Sequence, residues 1–216
     1  MILLYSGGLD SELYRLLLKP KSLVYFDNKS SYSIIEKSLL PKGIIIDKTF
    51  NFKGVEEPNK IIPFRNIHFI LSAFSYHRTV ALGITAYDVY YDKQEDSLTA
   101  LNFFLKQYSE NPLEVITPFR HKSKGELITE CLSLGLVEGQ HFQKLRTCYS
   151  ASSIKGCGEC SSCYHKAIAL AVNGLFDPNL FDKDPRKMKK HFNSYMRYKM
   201  IIPLDKLKKE LAYLHE

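Results

Sequence analysis

The stretch that decides the fold is LLYSGGLDSELYRLLL, Leu3 to Leu18. An apolar run stops at Ser6-Gly7-Gly8, passes through Leu9-Asp10-Ser11, and then becomes leucine-rich at helical spacing. A short unbroken apolar run reads as a buried strand, and leucines three and four positions apart read as a helix with one buried face. The pattern predicts a strand over Ile2–Tyr5, a glycine turn, and a helix over Ser11–Leu18 that ends near Pro20. Glycines permit positive φ and close backbone approach, and a helix beginning just beyond them presents amides to an anion. Ser6 and Ser11 add hydroxyl donors, while Asp10 beside a phosphate needs a Mg2+ ion or a backbone amide at its oxygens. The plainer alternative is a tight strand–helix turn with Asp10 or Ser11 as the N-cap. Gly-Gly turns are common, so the stretch alone does not separate the two readings.

The same alternation continues along the chain. Strands are expected at Ser22–Asp27, Gly43–Phe50, Leu82–Tyr87 and Glu114–Ile116. Helices are expected at Ser33–Leu40, stopped by Pro41, then from about Asn66 after a loop through Pro58, near Ser97–Gln107, and from about Ser123. Short apolar strands alternating with helices predict an α/β fold, a parallel sheet with helices on both faces. Ligands in such sheets lie beyond the carboxyl ends of the strands. No internal repeat or low-complexity linker interrupts the pattern.

A chain of 216 residues that is 45% hydrophobic and 25% charged fits one globular domain with a small appendage. No basic stretch precedes the first apolar run, and no segment approaches about 20 apolar residues, so neither a signal peptide nor a membrane span is expected and a cytoplasmic location is. The net charge of +7 is uneven: Lys183 to Glu216 carries ten Lys/Arg against four Asp/Glu, and the remainder is nearly neutral. Within it, KDPRKMKKHFNSYMRYK (Lys183–Lys199) interleaves cations with Phe192, Tyr195 and Tyr198, as nucleic-acid surfaces do. An amphipathic helix packed on the body or on a second copy accounts for the same pattern and is preferred.

Of five cysteines, four follow the spacing Cys148-x8-Cys157-x2-Cys160-x2-Cys163 within TCYSASSIKGCGECSSCYHKA. Four thiolates on one short loop, with Gly156 and Gly158 to make the turns, suit a closed tetrahedral Zn2+ site. An iron–sulfur cluster can use the same ligands, and a redox Cys-x2-Cys pair would leave two cysteines unexplained. His165 is read as a satisfied surface histidine, and Cys131, between apolar residues, as core.

SGGLDS directly after the first strand resembles the pyrophosphate loop of the ATP-pyrophosphatase (N-type) superfamily, and no Gly-Lys-Ser/Thr follows to make a Walker A loop. Taken in order, SGGLDS, Pro63-Phe64-Arg65-Asn66, Tyr90-Tyr91-Asp92, Ser123-Lys124-Gly125-Glu126 and TCY…GCGECSSC resemble the QueC family of 7-cyano-7-deazaguanine synthases, over about Ile2 to Asp177. That resemblance implies a Rossmann-like sheet of the adenine nucleotide α-hydrolase type over residues 1–145, a zinc-binding region over 146–182 and a basic helical extension over 183–216. It implies a ligase that splits ATP to AMP and pyrophosphate, activates 7-carboxy-7-deazaguanine as an acyl-adenylate, passes it to ammonia, and dehydrates the amide to a nitrile with a second ATP. By position, Tyr5, Ser6, Gly7, Gly8, Leu9, Asp10 and Ser11 would hold ATP, with Mg2+ through Asp10. Lys124 would offset charge on the pyrophosphate, Arg65, Asn66, Tyr90 and Asp92 would meet the second substrate, and Cys148, Cys157, Cys160 and Cys163 would hold Zn2+. A plain reading makes Arg65 a solvated charge and Asn66 an N-cap. A homodimer is expected.

Two stretches depart from the family pattern. Its Tyr-Pro-Asp-Cys-Arg-Pro-Glu appears as Tyr90-Tyr91-Asp92-Lys93-Gln94-Glu95-Asp96, and its Asp-Tyr-Gly-Gln-Arg-His as Asp27-Asn28-Lys29-Ser30-Ser31-Tyr32. One alternative follows from this: a relative that forms the same acyl-adenylate and transfers it to another amine, on a protein or a nucleic acid, as in a phage-defence or modification cassette. A second alternative is a zinc-containing nucleic-acid-binding module, which leaves the SGGLDS loop unexplained.

Overall fold

A computed structural model describes residues 1–57, 62–88, 90–148, 155–188, 191, 195 and 202–215. The loop position Pro58, Tyr149 of the cysteine motif, and Phe192 and Tyr198 of the basic segment lie outside the described residues. The chain divides into two compact units, Met1–Ile84 with Asp88–Arg120, and Thr85–Tyr87 with His121–Glu216.

The first unit is a Rossmann-like α/β layer. Strands β1 (Ile2–Leu4), β2 (Ser22–Phe26), β3 (Ile45–Asp47), β4 (Thr79–Leu82) and β5 (Glu114–Ile116) form a parallel sheet in the order β3-β2-β1-β4-β5. Helices α1 (Leu9–Leu18), α2 (Ser33–Ser38), α3 (Arg65–Ala73) and α4 (Glu95–Gln107) connect them. Because successive strand side chains alternate faces, the sheet has two distinct cores. Ile2, Leu4, Val24, Phe26, Val80, Leu82 and Val115 pack with Ile70 and Ala73 of α3 and Leu98 and Leu105 of α4. Leu3, Leu23, Ala81 and Ile116 pack with Tyr14 and Leu18 of α1. Tyr25 of that second face donates its hydroxyl to Glu36 of α2 at 3.0 Å. Tyr14 is fully buried, donates to the Ile84 carbonyl at 2.6 Å and accepts from the Phe119 amide at 3.3 Å, which ties together the segments leaving β4 and β5. Burial raises its phenol pKa, and the two backbone bonds offset only part of that rise.

The fourth strand corrects the sequence expectation: it is Thr79–Leu82, not Leu82–Tyr87. A strand exists only where it has a partner, and the ladder pairs Leu4 with Leu82 before β1 turns into the Ser6–Gly8 loop. Ile84 and Tyr87 are buried by tertiary contacts instead, which is why they imitate strand residues in the sequence. β3 is shorter than Gly43–Phe50 for the same reason, since among the described residues it pairs with β2 alone, which ends at Phe26.

The second unit is helical. It holds α5 (Lys124–Ser133), α6 (Gly139–Lys144), α7 (Ser161–Ala171) and α8 (Leu204–His215). Its core joins Cys163, Tyr164, Ala167, Ile168 and Ala171 of α7 with Leu207, Leu211 and Leu214 of α8, together with Tyr87 and Tyr195. Lys166 is buried in the middle of α7, and its ammonium donates to the carbonyls of Gln143, at 2.8 Å, and Leu145. Burial lowers its pKa to about 8. Cys131 is fully buried, as its apolar neighbours imply. No helix among the described residues is long and apolar enough to cross a membrane.

Candidate functional sites

The Ser6–Ser11 loop leaves β1 where the strand order reverses, between β1 and β4, which is where open parallel sheets bind ligands. Gly7 takes φ +74° and Gly8 occupies the N-cap position of α1 with no side-chain cap. Neither Asp10 nor Ser11 is therefore the N-cap. The helix starts at Leu9, and both residues lie in its first turn. Ser11 is buried and donates to the Gly8 carbonyl at 3.0 Å, while its oxygen accepts from the Ser6 amide at 3.3 Å. The loop is thus braced from within, with Ser6 exposed and Asp10 half-buried at a helix end that favours anionic ligands. A close wall stands beside it: a Cβ on Gly83 would lie 3.2 Å from the Asp10 carbonyl carbon and 3.3 Å from the Ser11 amide nitrogen. Tyr5 is buried and donates to Glu12 at 2.8 Å, and Glu12 also accepts Arg15 through both carboxylate oxygens, at 2.7 and 2.8 Å. Tyr5 therefore anchors the loop rather than facing out of it. The Glu12–Arg15 clamp was not singled out in the sequence, where it reads as an ordinary i, i+3 pair.

α3 begins at Arg65, so Asn66 is not an N-cap either; Phe64 holds that position in a left-handed conformation, φ +57°. The Arg65 guanidinium donates to the Tyr32 hydroxyl at 2.7 Å. Asn66 is buried and donates to Asp92 at 2.7 Å. Asn66 and Asp92 are thus brought together from positions 26 residues apart, whereas Tyr90 is 53% exposed at the edge of the turn Tyr91–Lys93. Both stretches that depart from the family pattern converge here. Tyr32 closes the first and touches Arg65; Asp92 lies in the second and touches Asn66. Asp27, at the start of the first, is buried. Burial would raise its pKa, but Lys29 at 2.9 Å and Lys37 at 3.0 Å hold it below the ordinary value.

Lys124 is the first residue of α5. Ser123 caps that helix, accepting from the Glu126 amide at 3.2 Å, and Glu126 returns the bond by accepting from the Ser123 amide at 2.7 Å. The Ser-Lys-Gly-Glu motif is therefore a capping box with the lysine held inside it.

The four sulfurs of Cys148, Cys157, Cys160 and Cys163 lie within 4.8 Å of one another and form a set that could hold a metal ion. Cys160 is the N-cap of α7, and its sulfur accepts from the Cys163 amide at 3.4 Å, so the last Cys-x2-Cys step is a helix start. Gly158, at φ +73°, lies so close to the Lys183 carbonyl that a Cβ there would fall 1.6 Å from its oxygen. A parallel bridge between Gly156 and Phe181 closes the same wall. The crowded thiols raise one another's pKa: hydrogen bonding to Cys148 pushes Cys160 up to about 12 and raises Cys163 too. A divalent cation bound here would offset that repulsion, and an all-sulfur set of four suits zinc. His165 stands apart from the set, half-buried against the rings of Tyr87 and Tyr195.

Residues 22–174 match the family model described as queuosine biosynthesis protein QueC. That span includes Arg65, Asn66, Lys124 and all four clustered cysteines, and begins after the Ser6–Ser11 loop. The chain is similar to the 7-cyano-7-deazaguanine synthase of Marinomonas sp. (strain MWYL1), 30% identical over 125 residues, 55% of each chain. It is similar to the protein of that name from Chromobacterium violaceum, 32% identical over 128 residues, 56% of this chain and 53% of that one. The protein of that name from Saccharolobus solfataricus is 29% identical over 171 residues, 73% of this chain and 35% of its own. The chain spans about half the length of the first two relatives.

Proposed function

The chain belongs to the QueC family of queuosine biosynthesis proteins, and from that premise we propose that it is an ATP-dependent ligase acting on 7-carboxy-7-deazaguanine. The family match over residues 22–174 carries the reading. A glycine loop followed by a helix start, at the reversal of strand order, supports it as the nucleotide site.

The substrate carboxylate attacks the α-phosphorus of ATP, the bond to the bridging oxygen breaks, and pyrophosphate leaves. Tyr5 to Ser11 supply the nucleotide loop: the amides of the first helical turn and the Ser6 hydroxyl meet phosphate oxygens, Ser11 braces the loop through its bond to the Gly8 carbonyl, and Asp10 would hold Mg2+. Lys124 offsets charge on the departing pyrophosphate, a task that suits a compact ammonium. Arg65 fixes the acid through paired hydrogen bonds to its carboxylate, with Asn66, Tyr90 and Asp92 on its ring. Ammonia then attacks the acyl carbon, AMP leaves, and the resulting amide loses the elements of water through a second adenylation to give the nitrile. Cys148, Cys157, Cys160 and Cys163 would hold Zn2+, which would supply a structural crosslink and no chemistry of the reaction.

The contact of Arg65 with Tyr32, the last residue of one altered stretch, favours a second reading, in which the acyl-adenylate is delivered to an amine other than ammonia. Incubating the chain with Mg-ATP and the acid, with and without ammonia, and weighing the products by mass spectrometry tests both. Nitrile formed with ammonia supports the first; transfer to an added protein or nucleic acid supports the second; no acid-dependent AMP removes the deazaguanine assignment.

A further inference from the structure

The C-terminal helix α8 lies beyond the stretch that the family model covers, which ends at residue 174. Three of its leucines, Leu207, Leu211 and Leu214, are buried as a core stripe should be. Two of its charged residues do something a packing stripe does not require. The Lys206 ammonium donates to Glu126 at 2.7 Å. Glu126 spends its other oxygen on the Ser123 amide, so one carboxylate serves both the capping box of α5 and the tie to α8. Glu210, one turn further on, is 7% exposed and accepts the hydroxyls of both Tyr87 and Tyr195 on a single oxygen, Tyr195 at 2.6 Å. It opens onto a small cavity whose wall also contains Lys124, Gly125 and His165.

Burying a carboxylate costs several kcal/mol unless it is well partnered, and a leucine at this position would continue the core stripe. A buried acid on the wall that Lys124 shares, and a cation clamped to the box that starts the lysine's helix, act on the same turn from two sides. We propose that Lys206 and Glu210 are positioning residues for Lys124: Lys206 fixes the first turn of α5, and Glu210 with its two tyrosines forms a rigid, negative wall that sets the course of the lysine side chain. The helix that looks like an appendage would then be part of the working site. The proposal rests on the role given to Lys124 above.

The test compares wild type, Lys206→Met, Lys206→Arg and Glu210→Gln, all zinc-loaded, by hydrogen exchange over the peptide Ser123–Leu127 and by steady-state AMP formation. Lys206→Met should speed exchange in that peptide about fivefold and lower kcat about tenfold with the KM for ATP within twofold, and Lys206→Arg should restore both. Glu210→Gln, which keeps shape and an acceptor oxygen while removing charge, should lower kcat with KM unchanged. Unchanged exchange and kcat in Lys206→Met overturns the proposal. So does a loss in which KM, thermal stability and exchange across all of α5, α7 and α8 change together, since that marks a merely structural role. If the wild-type chain forms no AMP from ATP, the ligase reading fails by itself, and the exchange of Ser123–Leu127 alone then decides whether α8 orders that turn.

Discussion

Arg65 and Asn66 adjoin in the chain, yet each is held by a separate partner, Tyr32 for the guanidinium and Asp92 for the amide. Such locks fix rotamers before a ligand arrives and limit the entropy lost on binding. Arg65→Lys retains the charge but loses the planar fork. It should reduce acid-stimulated AMP formation at least tenfold while changing nucleotide affinity less than threefold, as read by isothermal titration with a non-hydrolysable ATP analogue. Gly83→Ala should act in the opposite sense. Its methyl would press on the Asp10 backbone, so nucleotide affinity should fall several-fold while zinc content stays at about one per chain. From the sequence, Arg65 and Asn66 were visible as motif residues. Their partners were not, because Tyr32 and Asp92 lie 33 and 26 positions away and only the fold closes those gaps. The N-cap assignments of Asp10, Ser11 and Asn66 failed because residue type signals a helix start within a residue or two, and geometry chooses the position.

The Ser123–Glu126 capping box is the element-level feature with the most direct consequence. Ser123→Ala should cost about 1 kcal/mol, measurable as a lower denaturant midpoint at unchanged slope. The Glu126–Lys206 tie adds a pH dependence. Burial would raise the pKa of Glu126, but the Lys206 ammonium and the Ser123 backbone hold it below the ordinary 4.5. A lowered folded-state pKa contributes stability that is present above 4.5 and lost as pH falls through the lowered value. The stability gap between wild type and Lys206→Met should therefore be present at neutral pH and close in acid below that range; since Glu126 is 46% exposed, it should stay under about 1 kcal/mol. Chemical denaturation at the two pH values reads it. At this scale the sequence was most legible for β1, β2 and β5, whose apolar runs coincide with their pairing. The fourth strand was misplaced because Ile84 and Tyr87 owe their burial to contacts beyond the sheet. A helix in the basic extension was legible, but the partners of its charges were not, since Glu210 and Lys206 look like solvated charges until Tyr87, Tyr195 and Glu126 are brought beside them.

At the scale of the whole molecule, the two compact units depend on different sources of order. The first has paired strands with helices on both faces. The second has short helices around a core that includes Cys148 and Cys163, so a metal ion bound by the four cysteines would contribute folding energy there. Chelation should therefore raise hydrogen exchange first in α7 and α8 while β1 and β4 keep their protection, and Cys163→Ser should give the same pattern with zinc lost. Iron with inorganic sulfide in the purified chain would refute the zinc assignment. The contact of Gly158 with the Lys183 carbonyl, and the bridge from Gly156 to Phe181, also impose an order of events during synthesis. All four sulfurs have left the ribosome well before the segment that walls them in. The nascent chain could collect an ion early, but the site acquires its back wall only about twenty residues after its last cysteine. A chain arrested between Cys163 and Phe181 would carry every ligand in an unsupported loop, and its metal would exchange with a competing chelator far faster than that of the finished protein.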